Sequence, residues 1–561
     1  MWGLKRWLRK RTTAIEIQPD EIFLDSSNLP AFDRDRLEGR ITRPIGRTAM
    51  QVSASALALL FVLYAGEAGM LQIVHGQEYR ERAEQNQLAR EIIFADRGVV
   101  EDRTGRELAD NVRAENAAYS VRSYAPYRGI AHVLGYAKPP AKDTSGVYFR
   151  EESVGVDGVE AAYDGALAGT NGLRLTETDA LGAVVSESTI LPPVHGEKLE
   201  LSIDAAVSQG LYDAIAARAQ GSRFRGGAGV VMDVESGELL AMVSYPELEL
   251  QPLADGDGTA IARYLADPRE PFLDRPTQGL YAPGSIVKPI VAVGGLTEGI
   301  IDPQKKILST GALTVPNPYY PESPSVFKDW KAHGSVNLRE AIAVSSDVYF
   351  YEVGGGFEDQ RGIGIAGLER YFRLFGFGAS TGLAGFSDEA GTIPTPEWKA
   401  EVFPEDPVWR LGNTYHTAIG QYGVQVTPLQ AARAAAALAN GGVLLTPALI
   451  ARSTPQGADL DLPPENIQIA REGMRLGVTQ GIAGAVNLSF VKVAAKTGTA
   501  QVGARNEYMN SWMIGFWPYE HPRFAYAIVL ERAPAGTLVG ASAASSDFLH
   551  WLNQNAPEYL R

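Results

Sequence analysis

Between Thr48 and Gly66 the chain runs for nineteen residues without a charge, TAMQVSASALALLFVLYAG. As a helix rising 1.5 Å per residue this run reaches about 28 Å, close to the hydrocarbon thickness of a bilayer. Arg43 and Arg47 stand just before it, and Glu67 and Glu78 follow. The positive-inside rule therefore predicts a cytoplasmic segment (1–47), a transmembrane helix (48–70) and everything beyond on the outer side. A cleaved signal peptide would need a far shorter charged prefix. A buried core helix and an interfacial anchor stay open, because Gln51, Ser53 and Ser55 make the run only moderately apolar. No later stretch is as long, uncharged and apolar together, which predicts a single span.

Charge divides at the same place. Residues 1–47 hold ten Lys/Arg against seven acids, and the remainder carries a net charge of −18 within a total of −15. Such an acidic outer part excludes a nucleic-acid groove, which needs clustered Lys and Arg. The chain has no cysteine. That excludes disulfides, thiolate metal sites and a cysteine nucleophile, and it suits an oxidising compartment.

At 561 residues there is chain enough for three to four domain-sized units. Residues 76–192 are polar and turn-rich, with strand-like pieces at Glu91–Phe94 and Gly98–Glu101 and turn signals at Arg103–Gly105 and Gly155–Gly158. They predict an elongated spacer or interaction module, closed by Pro192-Pro193. A second domain is predicted over 196–558. Leu199–Ile203 alternates like a strand, and Asp204 suits a helix cap. Gly229–Val234 and Leu239–Tyr245 form a hairpin around Glu235–Glu238. Residues 276–455 read as helices and long loops. The clearest helix is 428–439, with Thr427 as cap, Pro428 at its first position and Asn440-Gly441-Gly442 to stop it. Strands return at Val491–Gln501, Trp512–Trp517 and Phe524–Leu530. The pattern predicts one antiparallel sheet drawing strands from both ends of the domain, with helices packed on it.

Three short constellations carry the chemistry. A serine hydroxyl is a weak nucleophile until a base takes its proton. A lysine three residues later on a helix shares its face and brings an amine beside it. That amine must be uncharged to act as base, and a second lysine in the pocket would supply the repulsion that lowers its pKa. Ser-x-x-Lys occurs at Ser285/Lys288, Ser325/Lys328 and Ser489/Lys492. Only Ser285 follows a turn, Tyr281-Ala-Pro-Gly284, and opens an apolar helix, whose N-terminal N–H groups favour an oxyanion. Ser325 lies in a Pro- and Tyr-rich loop and Ser489 precedes a strand, so both are expected to be surface coincidences. Ser345-Ser346-Asp347 follows a helical run, Val336–Val344. Lys496-Thr497-Gly498-Thr499 lies on a strand, where Gly498 is expected to leave room for substrate against the backbone. Each motif is weak alone; their order and element types together point to serine acyl transfer.

With those residues in hand, the chain resembles the class B penicillin-binding proteins, bacterial peptidoglycan D,D-transpeptidases, over about residues 45–555. The likeness extends to Ala95–Ala109 (ADRGVVEDRTGRELA), Gly155–Glu160 with Leu167-Ala168-Gly169, Val230–Val243, Val426–Gln430 and Ala439–Gly442. It implies an α/β (α+β) multidomain chain: one transmembrane helix, an elongated pedestal, and a transpeptidase domain whose five-stranded antiparallel sheet is sandwiched by helices. It implies that Ser285 attacks the penultimate D-Ala carbonyl of a stem peptide and that Lys288 accepts the serine proton. Ser345 would relay a proton to the amine, Lys496 would set the electrostatics there, and Thr497 and Thr499 would hold the terminal carboxylate. The N–H groups of Ser285 and Thr499 would form the oxyanion hole. β-Lactams would acylate the same serine, and no cofactor or metal is implied. Asp347, where many members carry Asn, together with Val348–Tyr351 and Ala332-His333-Gly334, resembles the elongation type, penicillin-binding protein 2. The implied partners are a SEDS-family glycan polymerase, elongation-complex scaffold proteins and membrane lipid. Gly420-Gln421-Tyr422-Gly423 departs from the commoner Gly-Gln-Gly, which implies a local loop change.

The alternatives are a septal-type transpeptidase, a membrane-anchored β-lactamase and an idle scaffold of the wall-synthesis complex. A lactamase needs a base for deacylation, and Glu389 and Glu397 are candidates. The seven histidines do not cluster with metal spacing; His416 could line the cleft, although a structural role is favoured. Tyr319, Tyr320 and Trp330, in the loop 309–335, could border a groove, with loop packing the blander account.

Overall fold

The computed structural model describes residues 46–77, 88–113, 115, 117–178, 184–317, 320 and 322–561. The basic segment before Gly46, including Arg43, and Tyr319 lie outside them. Helix α1 (Arg47–Gly69) continues through a wider turn to Val74 and is long and apolar enough to cross a membrane. None of its side chains is buried, as a core helix would require. It belongs to an N-terminal unit ending at Leu88, while Ala89–Arg561 form a second compact unit.

In that second unit, the pedestal segment builds a small sheet from Val100–Glu101, Glu107–Val112 and Val121–Tyr124. An ionic knot holds it. Glu160 gives one carboxylate oxygen to Arg97 Nε (2.5 Å) and the other to Arg122 Nε (2.6 Å), and all three side chains are buried. Arg97 also donates to the Glu160 carbonyl at 2.7 Å. The two pedestal motifs, 95–109 and 155–160, are thus physically tied to each other. Leu199–Glu200 pairs in parallel with Val100–Glu101, so the chain stays in the pedestal sheet past Pro192-Pro193. The strand predicted over Leu199–Ile203 is confined to those two residues, and Asp204 caps the next helix through Ala206 N and Val207 N.

The main sheet contains β1 (Gly226–Asp233), β2 (Leu239–Tyr245), β3 (Ala494–Val502), β4 (Tyr508–Trp517) and β5 (Phe524–Pro534), in the order β2-β1-β5-β4-β3. All its pairings are antiparallel, as expected of a sheet assembled from both ends of the domain. The helices that matter are α2 (Ala205–Gly221), α3 (Lys288–Thr297), α4 (Leu338–Val344), α5 (Asp347–Gly355), α6 (Pro428–Ala439), α7 (Pro464–Thr479) and α8 (Ala541–Asn555). Strand alternation sends Val230, Met232, Ala527 and Val529 into one core with α6, and Val231, Ile528 and Leu530 into another with α2 and α8. Helix α6 has the predicted bounds, because Thr427 and Gln430 form a reciprocal capping box at its start. Ser325–Lys328, expected in a loop, is a strand paired with Ala312–Val315. Four residues between proline-rich stretches are too few to show a period of two.

Candidate active site

Ser285 lies in a tight turn, Gly284–Val287, that feeds directly into α3, where Lys288 is the first residue. The nucleophile candidate therefore sits on the lead-in turn, not inside the α-helix. Gly284 has φ +56°, and a Cβ there would lie 2.8 Å from the Thr499 carbonyl oxygen. Gly420 presses from the other side: its carbonyl accepts from Gly284 N at 3.0 Å, and a Cβ on Gly420 would lie 2.2 Å from Gly284 O. The Gly420–Gly423 segment, expected to be a mere loop change, thus braces the Ser285 turn.

Ser345 terminates α4 in the left-handed region (φ 59°, ψ 44°), and Ser346 caps α5 by accepting from Tyr349 N. Lys496 comes from β3, the edge of the sheet. These elements converge on one hydroxyl. Ser345 Oγ is 3.2 Å from Lys288 Nζ and 2.8 Å from Lys496 Nζ. Lys288 also donates to Ser345 O (2.9 Å) and forms a 2.6 Å salt bridge with Asp347 Oδ1. Its three N–H groups are accounted for, and none goes to Ser285. Lys496 makes its remaining bond to Thr497 O at 2.8 Å. Burial pushes the Lys496 ammonium well below the ordinary lysine range, the Lys288 charge adds to this, and Asp347 opposes it. The repulsion between the two lysines expected from sequence is felt at Lys496, whose charged form is disfavoured.

The cleft over this cluster has a volume of about 920 Å³. Ser285, Ser345, Asp347, Thr497 and Thr499 line it, beside an aromatic wall that includes Phe327, Trp330, Tyr351 and Tyr422. Along β3 the partly or fully exposed residues are Thr497, Thr499, Gln501 and Val502, with Gly498 and Ala500 buried between the first three. Gly498 faces the protein instead: a Cβ there would meet Pro283 O at 2.8 Å and Ile286 Cγ2 at 2.9 Å. Its smallness lets the strand approach the Ser285 turn; it does not make room for substrate, as the sequence suggested. Gly498→Ala should push β3 away by a few tenths of an ångström and slow acylation of Ser285 by about tenfold, since small misplacements cost rate steeply. Stopped-flow labelling at unchanged melting temperature checks this.

Neither Glu389 nor Glu397 lines the cleft; its carboxylates are Asp329 and Asp347. Ser325 and Ser489 are exposed, Lys328 is exposed at the cleft rim, and Lys492 pairs with Glu520. His416 does line the cleft, packed against Phe327 and Tyr351; burial lowers its pKa, and Asp347 opposes the shift. Trp330, treated as loop packing, donates from Nε1 to Ser345 O at 3.3 Å, whereas Tyr320 is exposed. Sequence inspection missed Asp329 and gave Gly420 only a loop change; the roles of both come from contacts distant along the chain.

Residues 227–548 match the penicillin binding protein transpeptidase domain, and residues 114–201 match the penicillin-binding protein dimerisation domain. The chain is 32% identical to the peptidoglycan D,D-transpeptidase MrdA of Haemophilus influenzae over 480 residues, 78% of this chain and 70% of the relative. A complex between penicillin-binding protein PBP2 and MreC from Helicobacter pylori is similar at TM-score 0.69 and 25% identity, covering 84% of this chain and 99% of that one. A peptidoglycan synthase complex that coordinates polymerization and crosslinking contains a chain similar at TM-score 0.69 and 26% identity, over 90% of this chain and 98% of that one.

Proposed function

The chain belongs to the class B penicillin-binding proteins as an elongation-type peptidoglycan D,D-transpeptidase, and on that footing we propose how its residues carry the reaction. Ser285 Oγ attacks the penultimate D-Ala carbonyl of a stem peptide ending in D-Ala-D-Ala. The C–N bond breaks, the terminal D-Ala leaves as an amine, and an ester on Ser285 remains. The amine of a neighbouring stem then attacks the ester and leaves a cross-link. Lys288 takes the Ser285 proton; Ser345, whose hydroxyl accepts from both Lys288 and Lys496, relays a proton to the leaving amine and later takes one from the attacking amine, so that Ser285 regains its own. Asp347 holds Lys288 in line. Thr497 and Thr499 bind the terminal carboxylate, and the N–H groups of Ser285 and Thr499 meet the oxyanion. Gly498 serves by letting β3 approach.

One observation carries this assignment: a single hydroxyl lies within hydrogen-bond reach of two lysine amines in the cleft that also holds Ser285. The test is fluorescent penicillin on the full chain, followed by digestion and mass spectrometry. The adduct is expected on the peptide containing Ser285, with a lifetime of minutes to hours. An adduct on Ser325 or Ser489 would sink the assignment, and rapid release would favour a lactamase.

The same proposal takes 76–192 as pedestal and 196–558 as transpeptidase domain. It places the N-terminus in the cytoplasm, from Arg43 and Arg47 ahead of the uncharged run, and the cleft outside the membrane. Its partners would be a SEDS-family polymerase and elongation scaffold proteins, a view supported by the two assemblies to which the chain is similar.

A further inference from the structure

Ser345 holds a backbone conformation that a residue with a Cβ seldom adopts, at the junction of two helices. Something outside the junction must keep it there. Asp329 is buried directly behind it. Its Oδ2 accepts from Ser346 Oγ (2.9 Å), Val348 N (3.1 Å) and Ser309 Oγ (3.1 Å). Its Oδ1 accepts from Trp330 N (2.8 Å) and stands 3.3 Å from His333 Nε2. Trp330 in turn donates its indole N–H to Ser345 O, the carbonyl that Lys288 also reaches. One carboxylate therefore ties the cleft-wall strand Ser325–Lys328, the strand Ile307–Ser309 and the start of α5 to Ser346, the residue that follows the strained Ser345.

We infer that Asp329 is a positioning residue for the proposed acyl transfer, a clasp that holds the Ser345 turn so that its hydroxyl lies between Lys288 and Lys496. It touches neither Ser285 nor the amines; it acts through Ser346, Val348 and Trp330. Burial opposes its charge, yet the hydrogen bonds from Val348, Asp347 N and Ser346, with the Lys288 charge, hold its carboxyl below the ordinary range. Without the clasp the turn is free to relax toward a commoner conformation, and the hydroxyl then leaves one or both amines.

The inference rests on the transpeptidase assignment, and the experiment separates the two. Penicillin acylation of the full chain is resolved into an encounter constant and a first-order acylation constant, with Tm measured in parallel. Asp329→Ala should lower the first-order constant by about 100-fold, the cost of an ångström-scale misplacement, with the encounter constant nearly unchanged and the adduct still on Ser285. Asp329→Asn, which keeps one acceptor oxygen, should recover much of that loss. Should Asp329→Ala fold poorly, Ser346→Ala removes a single arm of the clasp and should slow acylation by about tenfold. The clasp is overturned if these variants acylate at the original rate. It is equally overturned if only the labelled fraction and Tm fall while the rate constant of the folded fraction holds. A native chain that takes no label would overturn the transpeptidase assignment, and the clasp with it.

Discussion

Lys496→Met should slow acylation of Ser285 by about 1,000-fold while making the folded chain more stable. The two effects share one cause. Burial and the Lys288 charge hold the Lys496 pKa well below that of an unfolded lysine, so folding disfavours its protonated form. Between its folded pKa and about 10.4 the unfolded chain binds one proton more than the native chain, so stability rises with pH across that window. Equivalently, the unfavourable contribution of Lys496 grows as pH falls from the unfolded value toward the folded one. Methionine fills similar space, carries no charge and removes the effect. Tm at neutral pH should therefore rise, and the alkaline slope of stability should flatten. Activity moves the other way, because general acid–base groups contribute about 10²- to 10⁴-fold and Ser345 Oγ loses its 2.8 Å partner. Thermal unfolding from pH 6 to 10 beside labelling kinetics tests both halves. A variant that loses stability, or labels normally, contradicts the account.

Glu160→Ala should cost about 3–5 kcal/mol of folding stability, since removing one member of a buried ionic group strands the charges left behind. Here two guanidinium groups would be stranded. Arg97 keeps Asp164 at 2.7 Å and the Ser153 carbonyl at 3.0 Å. Among the described residues Arg122 keeps only a long contact to Asn111 at 3.4 Å, and it already has one buried nitrogen without a partner there. The damage should therefore concentrate in the strands carrying Arg122 and Val100. Labelling of Ser285 should stay within about twofold wherever the chain is folded, because the additivity of distant sites applies. Denaturant titration followed by pedestal and cleft probes separately would show the loss, and a change below about 1 kcal/mol would rule out the knot as the source of pedestal stability.

How much was legible in sequence depended on how local the cause was. Helix α6 was readable because cap, proline and stop signal lie within fifteen residues of one another. The hairpin of β1 and β2 and the late strands were readable for the same reason, with errors of a few residues at their ends. The three motifs whose residues meet at Ser345 and the cleft stood out through residue type and spacing. The lowered pKa of Lys496 did not, because it depends on burial and on Lys288 meeting it across the fold. Gly498 was misjudged for a related reason: the direction in which a missing Cβ points is set by the neighbour it would meet.

By itself the sequence determined the anchor, the sheet-and-helix character of the outer part, and which serines and lysines could take part in acyl transfer. Those follow from hydrophobic length, periodicity and side-chain chemistry, which are properties of short stretches. Only the tertiary structure decided that the charged form of Lys496 is disfavoured, which carboxylate holds the Ser345 turn, and why Glu160 stands where it does. Each depends on groups far apart in the chain meeting where water is excluded, and there a single contact outweighs the intrinsic preference of the residue.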